Sequence, residues 1–148
     1  MTRLTHTDNK GKAIMVDVGN KEIQVRIARA RGKILMASEA VRLVRENMMK
    51  KGDVLSVAQV AGINGAKQTS TLIPLCHNIV LDKVSVDLTV AETGVMAESE
   101  IHCTGKTGVE MEALTAVSIA LLTVYDMCKA VDKNMVISNI ELIEKIKK

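Results

Sequence analysis

Hydrophobic and polar residues alternate along four stretches of the chain, and a period of two is typical of strands with one buried face. The stretches are Glu22–Met36, Ile79–Val90, Val95–Cys103 and Met135–Ile146. Residues Glu92–Gly94 separate the second stretch from the third and predict a tight turn. We therefore expect four strands, of which the middle two form a hairpin.

Two shorter segments between the first and second strands carry apolar residues at steps of three and four, which predicts helices. The first helix is expected to begin with Ser38 as its N-cap and to end at Gly52, after two lysines. Asp53 then caps a second helix that ends before Pro74. Two glycines lie inside the second helix, Gly62 and Gly65. Because glycine weakens a helix, we expect them to permit close packing or the approach of a ligand.

The longest helical pattern lies within Thr104–Val131. Its apolar residues recur at the spacing of one buried face: Leu114, Val117, Leu121, Val124 and Cys128. Thr107 and Glu110 have the spacing of a capping box, which predicts that the helix begins at Gly108. Most other residues of this helix are also apolar, so we expect it to be buried on nearly all sides.

Asp126 and Lys129 are three residues apart on this helix, close enough to form an ion pair. On an ordinary surface helix such a pair contributes little. In an apolar setting it would shift pKa values and favour acid–base chemistry. The preceding Gly105–Thr107 does not form a phosphate-binding P-loop, because the motif requires a glycine where this chain has Glu100.

The predicted order is strand, helices, two strands, helix and strand. This order is typical of the ferredoxin-like α+β fold, an antiparallel sheet with helices packed on one face. Residues 1–20 are polar and glycine-bearing, and we expect an irregular arm that packs on the remainder of one catalytic domain, 1–148.

Composition narrows the function. The chain has no Phe or Trp and a single Tyr, so its sheet cannot stack RNA bases as RNA-recognition domains of this topology do. A net charge of +3 does not require nucleic acid and also suits a phosphorylated substrate. Three cysteines without paired spacing fit a reducing cytoplasm. We expect no membrane span, because no apolar run approaches ~20 residues, and the first residues of the sequence do not have the pattern of a signal peptide.

Two cysteine–histidine neighbours, Cys76-His77 and His102-Cys103, could in principle supply zinc ligands. Adjacent residues of an extended segment point to opposite sides, so each pair would offer one ligand rather than two. We therefore expect no metal site and interpret His102 as a residue on the strand surface.

Several blocks together resemble the cyclic pyranopterin monophosphate synthase family, the molybdenum cofactor biosynthesis protein C family. They are M-V-D-V (Met15–Val18), K-G-D-V (Lys51–Val54), A-G-I-x-x-A-K (Ala61–Lys67), L-I-P-L-C-H (Leu72–His77), K-T-G-V-E-M-E-A-L-T-A (Lys106–Ala116) and Y-D-M-C-K-A (Tyr125–Ala130). The resemblance covers essentially the whole chain in the expected order. One departure is Asn78, where the family usually has proline; it affects the loop and no chemical group.

The resemblance implies conversion of (8S)-3′,8-cyclo-7,8-dihydroguanosine 5′-triphosphate to cyclic pyranopterin monophosphate with release of diphosphate. A purine-derived ring is opened and rebuilt, and a ribose-derived hydroxyl then attacks the first phosphate. Both halves depend on proton transfer. Magnesium bound to the triphosphate is compatible with this reaction, although no residue pattern requires it.

The resemblance also assigns roles to residues. Lys129 and Asp126 would move protons, with their pKa values tuned by burial and mutual charge. Glu112 and Met111 would hold the pterin end. The opposite side of the site would be lined by Leu75, Cys76 and His77. The triphosphate would be bound by the cations Lys51, Lys67 and Arg26. Two of these residues also have simpler explanations: a lysine at the end of a helix, such as Lys51, is favoured by the helix dipole, and Lys67 could be an ordinary solvent-exposed residue.

Glu112 and Lys129 are seventeen residues apart, so a continuous helix separates them by about 25 Å. No small-molecule pocket on one helix spans that distance comfortably. Because the resemblance places both ends of this helix at the active site, we expect a homodimer with shared sites. The resemblance also implies a larger assembly such as a hexamer. The alternative function is a non-catalytic nucleotide- or pterin-binding assembly module, since fold alone does not determine function. Turnover of the substrate, as opposed to binding alone, distinguishes the two.

Overall fold

A computed structural model describes residues 6–148 of the chain. Its elements, in chain order, are β1 (Gln24–Leu35), α1 (Ser38–Arg45), α2 (Val54–Lys67), α3 (Thr69–Leu72), β2 (Leu81–Ala91), β3 (Gly94–Gly105), α4 (Glu110–Cys128) and β4 (Val136–Lys147). The four strands form one antiparallel sheet in the order β2-β3-β1-β4. This arrangement confirms the predicted α+β fold and is consistent with the ferredoxin-like topology.

The core lies between the sheet and the layer formed by α2 and α4. Alternate residues of β1 and β3 face it, among them Ala28, Ile34 and Ile101, because successive side chains of a strand point to opposite faces. The predicted apolar face of α4 completes the core: Val117, Leu121, Val124 and Cys128 are fully buried and Leu114 is half-buried. The other face of the sheet carries ion pairs, such as Arg31 with Glu141 at 2.8 Å.

The two glycines of α2 lie against α4. A Cβ at Gly62 would approach the carbonyl oxygen of Ala116 to 2.9 Å, and one at Gly65 would approach Ile119 Cγ1 to 2.8 Å. Both distances are shorter than side chains tolerate, so glycine allows the helices to approach closely. Of the two expected roles, close packing is confirmed.

The predicted ends of the first two helices are wrong. The first helix ends at Arg45 because Asn47 adopts a left-handed conformation, with φ of 54°, and turns the chain before Gly52. The N-cap of α1 is Ala37, one residue before the predicted Ser38. The second helix ends at Lys67, ahead of the separate turn α3. Its predicted start is confirmed, since Asp53 accepts a hydrogen bond of 3.1 Å from the Ser56 N–H.

Helix α4, Glu110–Cys128, is long and apolar enough to cross a membrane when judged by length and composition alone. This contradicts the expectation that no run of the chain approaches such a span. More than half of the helix is buried against the sheet and α2. Core helices of globular domains meet the same criterion, and α4 belongs to the core.

Candidate functional site

A cavity of about 330 Å³ opens at the start of α4. It is bounded by the loop that follows α3, by the first turn of α4 and by the N-terminal arm. Five predicted site residues line it together: Leu75, Cys76, His77, Met111 and Glu112. Its volume suits a ligand of nucleotide size. The sequence thus identified two separate segments that the fold brings to one cavity.

The N-terminal arm forms one wall of this cavity. Val16, Val18 and Lys21 line it. The His77 ring donates a hydrogen bond through Nε2–H to the Val16 carbonyl oxygen. Lys106 Nζ, in the loop before α4, donates to the Gly19 carbonyl oxygen at 3.0 Å. The arm is therefore fixed at two points next to the cavity, and residues 1–5 of the predicted irregular arm lie outside the described residues.

Glu112 is the one pocket residue that combines a carboxyl group with nearly complete burial, being 4% exposed. Burial raises the pKa of Glu112, and the neighbouring Glu110 carboxylate raises it further. No cation of residues 6–148 forms an ion pair with it. Burial also raises the pKa of the Cys76 thiol. A buried, unpaired acid in a cavity can exchange a proton with a ligand or accept the ligand's N–H groups.

Glu110 lies beside this acid, but the predicted capping box is not formed. The helix begins at Glu110 rather than Gly108, and its N-cap, Val109, has no side-chain cap. The Glu110 carboxylate folds over Gly108 and forms an ion pair with Lys145 of β4 at 2.8 Å. A Cβ at Gly108 would lie 2.3 Å from Glu110 Oε1, so glycine leaves room for this carboxylate.

A second cluster lies at the other end of α4. Lys129 Nζ is 2.9 Å from Asp126 Oδ1, and Lys51 Nζ is 3.3 Å from Asp126 Oδ2. Lys51 also donates to the backbone oxygen of Asp126 at 3.1 Å. Hydrogen bonds from Lys129 and Lys51 hold the pKa of Asp126 below its usual value. Lys51 thus joins the two predicted catalytic residues.

The predicted burial of the Asp126–Lys129 pair is wrong within the single chain. The two side chains are 57% and 55% exposed. They lie on the same stripe of α4 as Leu122, which is 54% exposed and faces away from the sheet. The apolar composition of α4 did not reveal this stripe, because the C-terminal part of the helix extends past the neighbouring elements that cover its middle. Hydrogen bonds from Lys129 and Lys51, together with the charges of these lysines, lower the pKa of Asp126, whereas burial opposes that shift.

The remaining predicted cations belong neither to the cavity at the start of α4 nor to the Asp126 cluster at its end. Arg26 is 8% exposed, and its guanidinium donates to the backbone oxygens of Gly105 at 3.4 Å and Lys106 at 3.3 Å. It therefore holds the loop that leads into α4. Lys67 is exposed at the end of α2 and is not among the residues that line the cavity.

The histidine–cysteine pairs form no metal centre. His102 lies on β3 and contacts Glu100 at 2.7 Å, as expected of a residue on the strand surface. Cys103 is buried on the opposite side of the strand. Within residues 6–148, no group of three or more His, Cys, Asp or Glu side chains is placed to hold a metal ion.

Sequence reasoning missed several residues of the cavity. They are His6, Lys21, Thr107, Gly108 and Glu110 on its walls, with Lys145 behind Glu110. Thr107 to Glu110 belong to a motif that was singled out, but as helix caps. No sequence pattern near Lys145 indicates its role, because its partner Glu110 lies 35 positions earlier. The two residues come together only through the pairing of β4 with β1.

Fold and cavity together define an α+β domain with a cavity of small-molecule size at the start of its central helix. The chain belongs to the MoaC family, whose model matches residues 15–147. It is 57% identical over 147 residues to the cyclic pyranopterin monophosphate synthase of Heliobacterium modesticaldum, covering 98% of this chain and 92% of the relative.

Further relatives agree with this assignment. The synthase of Peptoclostridium acidaminophilum is 55% identical over 141 residues, 95% of this chain and 90% of the relative. Molybdenum cofactor biosynthesis protein 1 of Drosophila melanogaster is 53% identical over 146 residues, 97% of this chain. The chain spans only 26% of that longer protein. The predicted family is confirmed, and with it an enzyme of molybdenum cofactor biosynthesis is favoured over the non-catalytic module.

Proposed function

We propose that this chain is a lyase that converts (8S)-3′,8-cyclo-7,8-dihydroguanosine 5′-triphosphate to cyclic pyranopterin monophosphate and diphosphate. The observation that carries the proposal is Glu112, a 4%-exposed acid with a raised pKa on the wall of a cavity of about 330 Å³. Burying an ionisable group without a cation is costly, so such groups are concentrated at functional sites. A guanine-derived ring supplies the N–H donors that this carboxyl group can accept.

The direct test is turnover of the purified chain with the cyclic dihydroguanosine triphosphate. We expect release of diphosphate together with a pterin product. Glu112→Gln should reduce turnover strongly because the amide cannot exchange the proton. Glu98→Gln, at an exposed carboxylate on the far sheet face, is the matched control and should leave turnover unchanged. Binding of the substrate without diphosphate release would favour the assembly module instead.

We further propose that the enzyme is a homodimer in which each site uses both chains, within a larger assembly such as a hexamer. Helix α4 is unbroken from Glu110 to Cys128, so the Glu112 cavity and the Asp126–Lys129 pair are about 25 Å apart in one chain. A two-fold axis that places the start of one α4 near the end of its partner would join them. Such an interface would also cover the exposed pair and Leu122.

Complementation between two inactive variants tests the shared site. Glu112→Ala and Lys129→Ala are co-expressed, and random pairing gives heterodimers as about half of the dimers. Each heterodimer then has one intact site, so roughly a quarter of wild-type activity should return. The control mixture is Asp126→Ala with Lys129→Ala, whose changes lie at the same end of α4 and leave no intact site. A verified Glu112/Lys129 mixture that stays inactive refutes the shared site.

In this proposal Asp126 and Lys129 transfer protons, while Lys51, Lys67 and Arg26 balance the triphosphate. Lys51 is supported by its contacts with Asp126. The guanidinium of Arg26 also donates to two backbone oxygens, so Arg26 additionally shapes the loop before α4. Magnesium, if it takes part, would enter with the triphosphate and be held by phosphate oxygens and water. We propose a cytoplasmic location, in keeping with three free cysteines among the described residues.

A further inference from the structure

Asp132 lies in the short connection between α4 and β4 and has no part in the proposed chemistry. It is 7% exposed, although aspartate is rarely buried without a purpose. Its Oδ2 accepts the N–H of Ala37 at 2.6 Å, and its Oδ1 accepts the N–H of Asn134 at 2.9 Å. These two bonds account for the burial of the charge.

The first of these bonds joins two segments that are far apart in sequence. Ala37 is the residue that precedes α1, and α1 has no side-chain cap of its own. Asp132 follows the last turn of α4, and its own N–H donates to the Cys128 carbonyl oxygen at 3.1 Å. The carboxylate therefore ties the start of α1 to the end of α4.

The charged cluster is built from the end of α4 and the loop that follows α1. After α1 the chain turns at Asn47, is anchored by the 6%-exposed Met49 and presents Lys51. Lys51 then contacts Asp126 on α4. Two contacts therefore link the same parts of the chain. Asp132, just after α4, bonds the start of α1, and Lys51, in the loop after α1, contacts Asp126 near the end of α4.

We infer that Asp132 is a positioning residue, which sets the placement of Lys51 against Asp126 and Lys129 by holding the start of α1 on the end of α4. The inference rests on the proposed function, because it assigns Asp132 to the catalytic machinery through that cluster. Among the described residues, Asp132 does not line the cavity, and its side chain forms no hydrogen bond with Lys51, Asp126 or Lys129. Its hydrogen bonds to Ala37 and Asn134 also hold the pKa of Asp132 below its usual value, so the carboxylate stays charged at neutral pH.

Asp132→Asn is the first variant, since it keeps the shape of the side chain but replaces one acceptor oxygen with an amide N–H₂ group. Displacing a catalytic cation by about 1 Å can reduce rates 10²-fold, so we expect kcat/KM to fall roughly 10-fold to 100-fold. Gln59→Ala is the matched control. It removes a 3.0 Å side-chain bond from α2 to the Val86 backbone oxygen, away from the cluster. It should lower the melting temperature with little effect on kcat/KM.

A double-mutant cycle separates positioning from general loss of stability. If Asp132 acts through Lys51, then Asp132→Asn should cost no more than about twofold when Lys51 is already alanine. Multiplicative losses in the double variant, or unchanged kcat/KM in Asp132→Asn, would overturn the inference. All proteins are assayed at a temperature where thermal unfolding shows them folded. If neither Asp132→Asn nor Asp132→Ala folds at any such temperature, Asp132 is a folding determinant and the positioning role is withdrawn.

The cycle also distinguishes this inference from the proposed function. Wild-type protein that does not turn over the cyclic triphosphate, or Lys51→Ala with wild-type kinetics, contradicts the proposed chemistry itself. Active wild type, impaired Lys51→Ala and independent effects of Asp132 contradict only the positioning role.

Discussion

Gly62→Ala tests the close contact between α2 and α4. The new Cβ would meet the Ala116 carbonyl oxygen at 2.9 Å, Val86 Cγ1 at 3.0 Å and the Ala120 Cβ at 3.2 Å. The nearest of these atoms belongs to the backbone of a buried helix and cannot rotate away. The helices must therefore separate by several tenths of an ångström or accept the overlap.

The expected magnitude follows from two opposing effects. Overpacking a tight core costs about 1–3 kcal/mol. Replacing glycine by alanine within a helix returns about 0.5–1 kcal/mol. The net loss is about 0–2.5 kcal/mol, with a midpoint of about 1 kcal/mol. At about 2–4 °C per kcal/mol for a domain of this size, the midpoint corresponds to a fall of about 2–5 °C in the melting temperature.

Thermal unfolding followed by circular dichroism measures this loss, at one fixed protein concentration because assembly also stabilises the chain. Asn64→Ala, at an exposed position of α2, is the control for helix propensity and should be neutral or slightly stabilising. Gly65→Ala should fall between the two, since its nearest neighbour, Ile119 Cγ1 at 2.8 Å, can rotate away, although Ile119 Cβ at 3.0 Å cannot. A Gly62→Ala protein as stable as wild type would show that the helices are not in tight contact.

Three further predictions concern the site. Asp126→Asn or Lys129→Ala should lower turnover by ~10² or more with the fold intact, and near-normal kcat in either folded variant would remove that residue from the mechanism. Lys51→Ala should mainly raise KM, because it binds phosphates present in both ground and transition states; a fall in kcat alone would identify it as a catalytic acid. The folded-state pKa of Glu112 is raised, so its stabilising contribution is complete below the unfolded-state pKa and is lost as pH rises through the folded value. Glu112→Gln should therefore gain stability relative to wild type as the pH of urea unfolding rises from acid to neutral, and a constant difference would contradict the assignment.

Much of the fold followed from local pattern, because β1 and β3 alternate between buried and more exposed residues and one face of α4 is continuously apolar. Errors arose where a partner distant in sequence competes with a local signal. Glu110 has the spacing of a capping box with Thr107, but Lys145 of β4 takes its carboxylate. The predicted burial of Asp126 was wrong for a related reason. The composition of a helix shows how apolar it is, but not which of its sides the neighbouring elements cover.

Two segments of the cavity could be predicted from the sequence, whereas wall residues such as His6 and Lys21 could not. The motif around Leu75–His77 and the one around Met111–Glu112 were expected in one site, and both line the cavity. Arg26 carries the charge that a phosphate site needs, yet sequence does not reveal that the Gly105 and Lys106 carbonyl oxygens occupy its guanidinium. Asp132 was overlooked because its partner at Ala37 is a backbone group without any residue signature.

The unbroken course of α4 restricts which changes of length the chain can accept. One residue inserted into α4 would turn the Glu112 end by about 100° relative to the Lys129 end and lengthen the helix by about 1.5 Å. Under the shared-site proposal, such an insertion would damage two sites at once, even if the helix itself formed normally. An added residue in the turn between β2 and β3, at Glu92 and Thr93, leaves both ends of α4 unmoved. Natural and engineered length variation should therefore accumulate in that turn and be absent from α4.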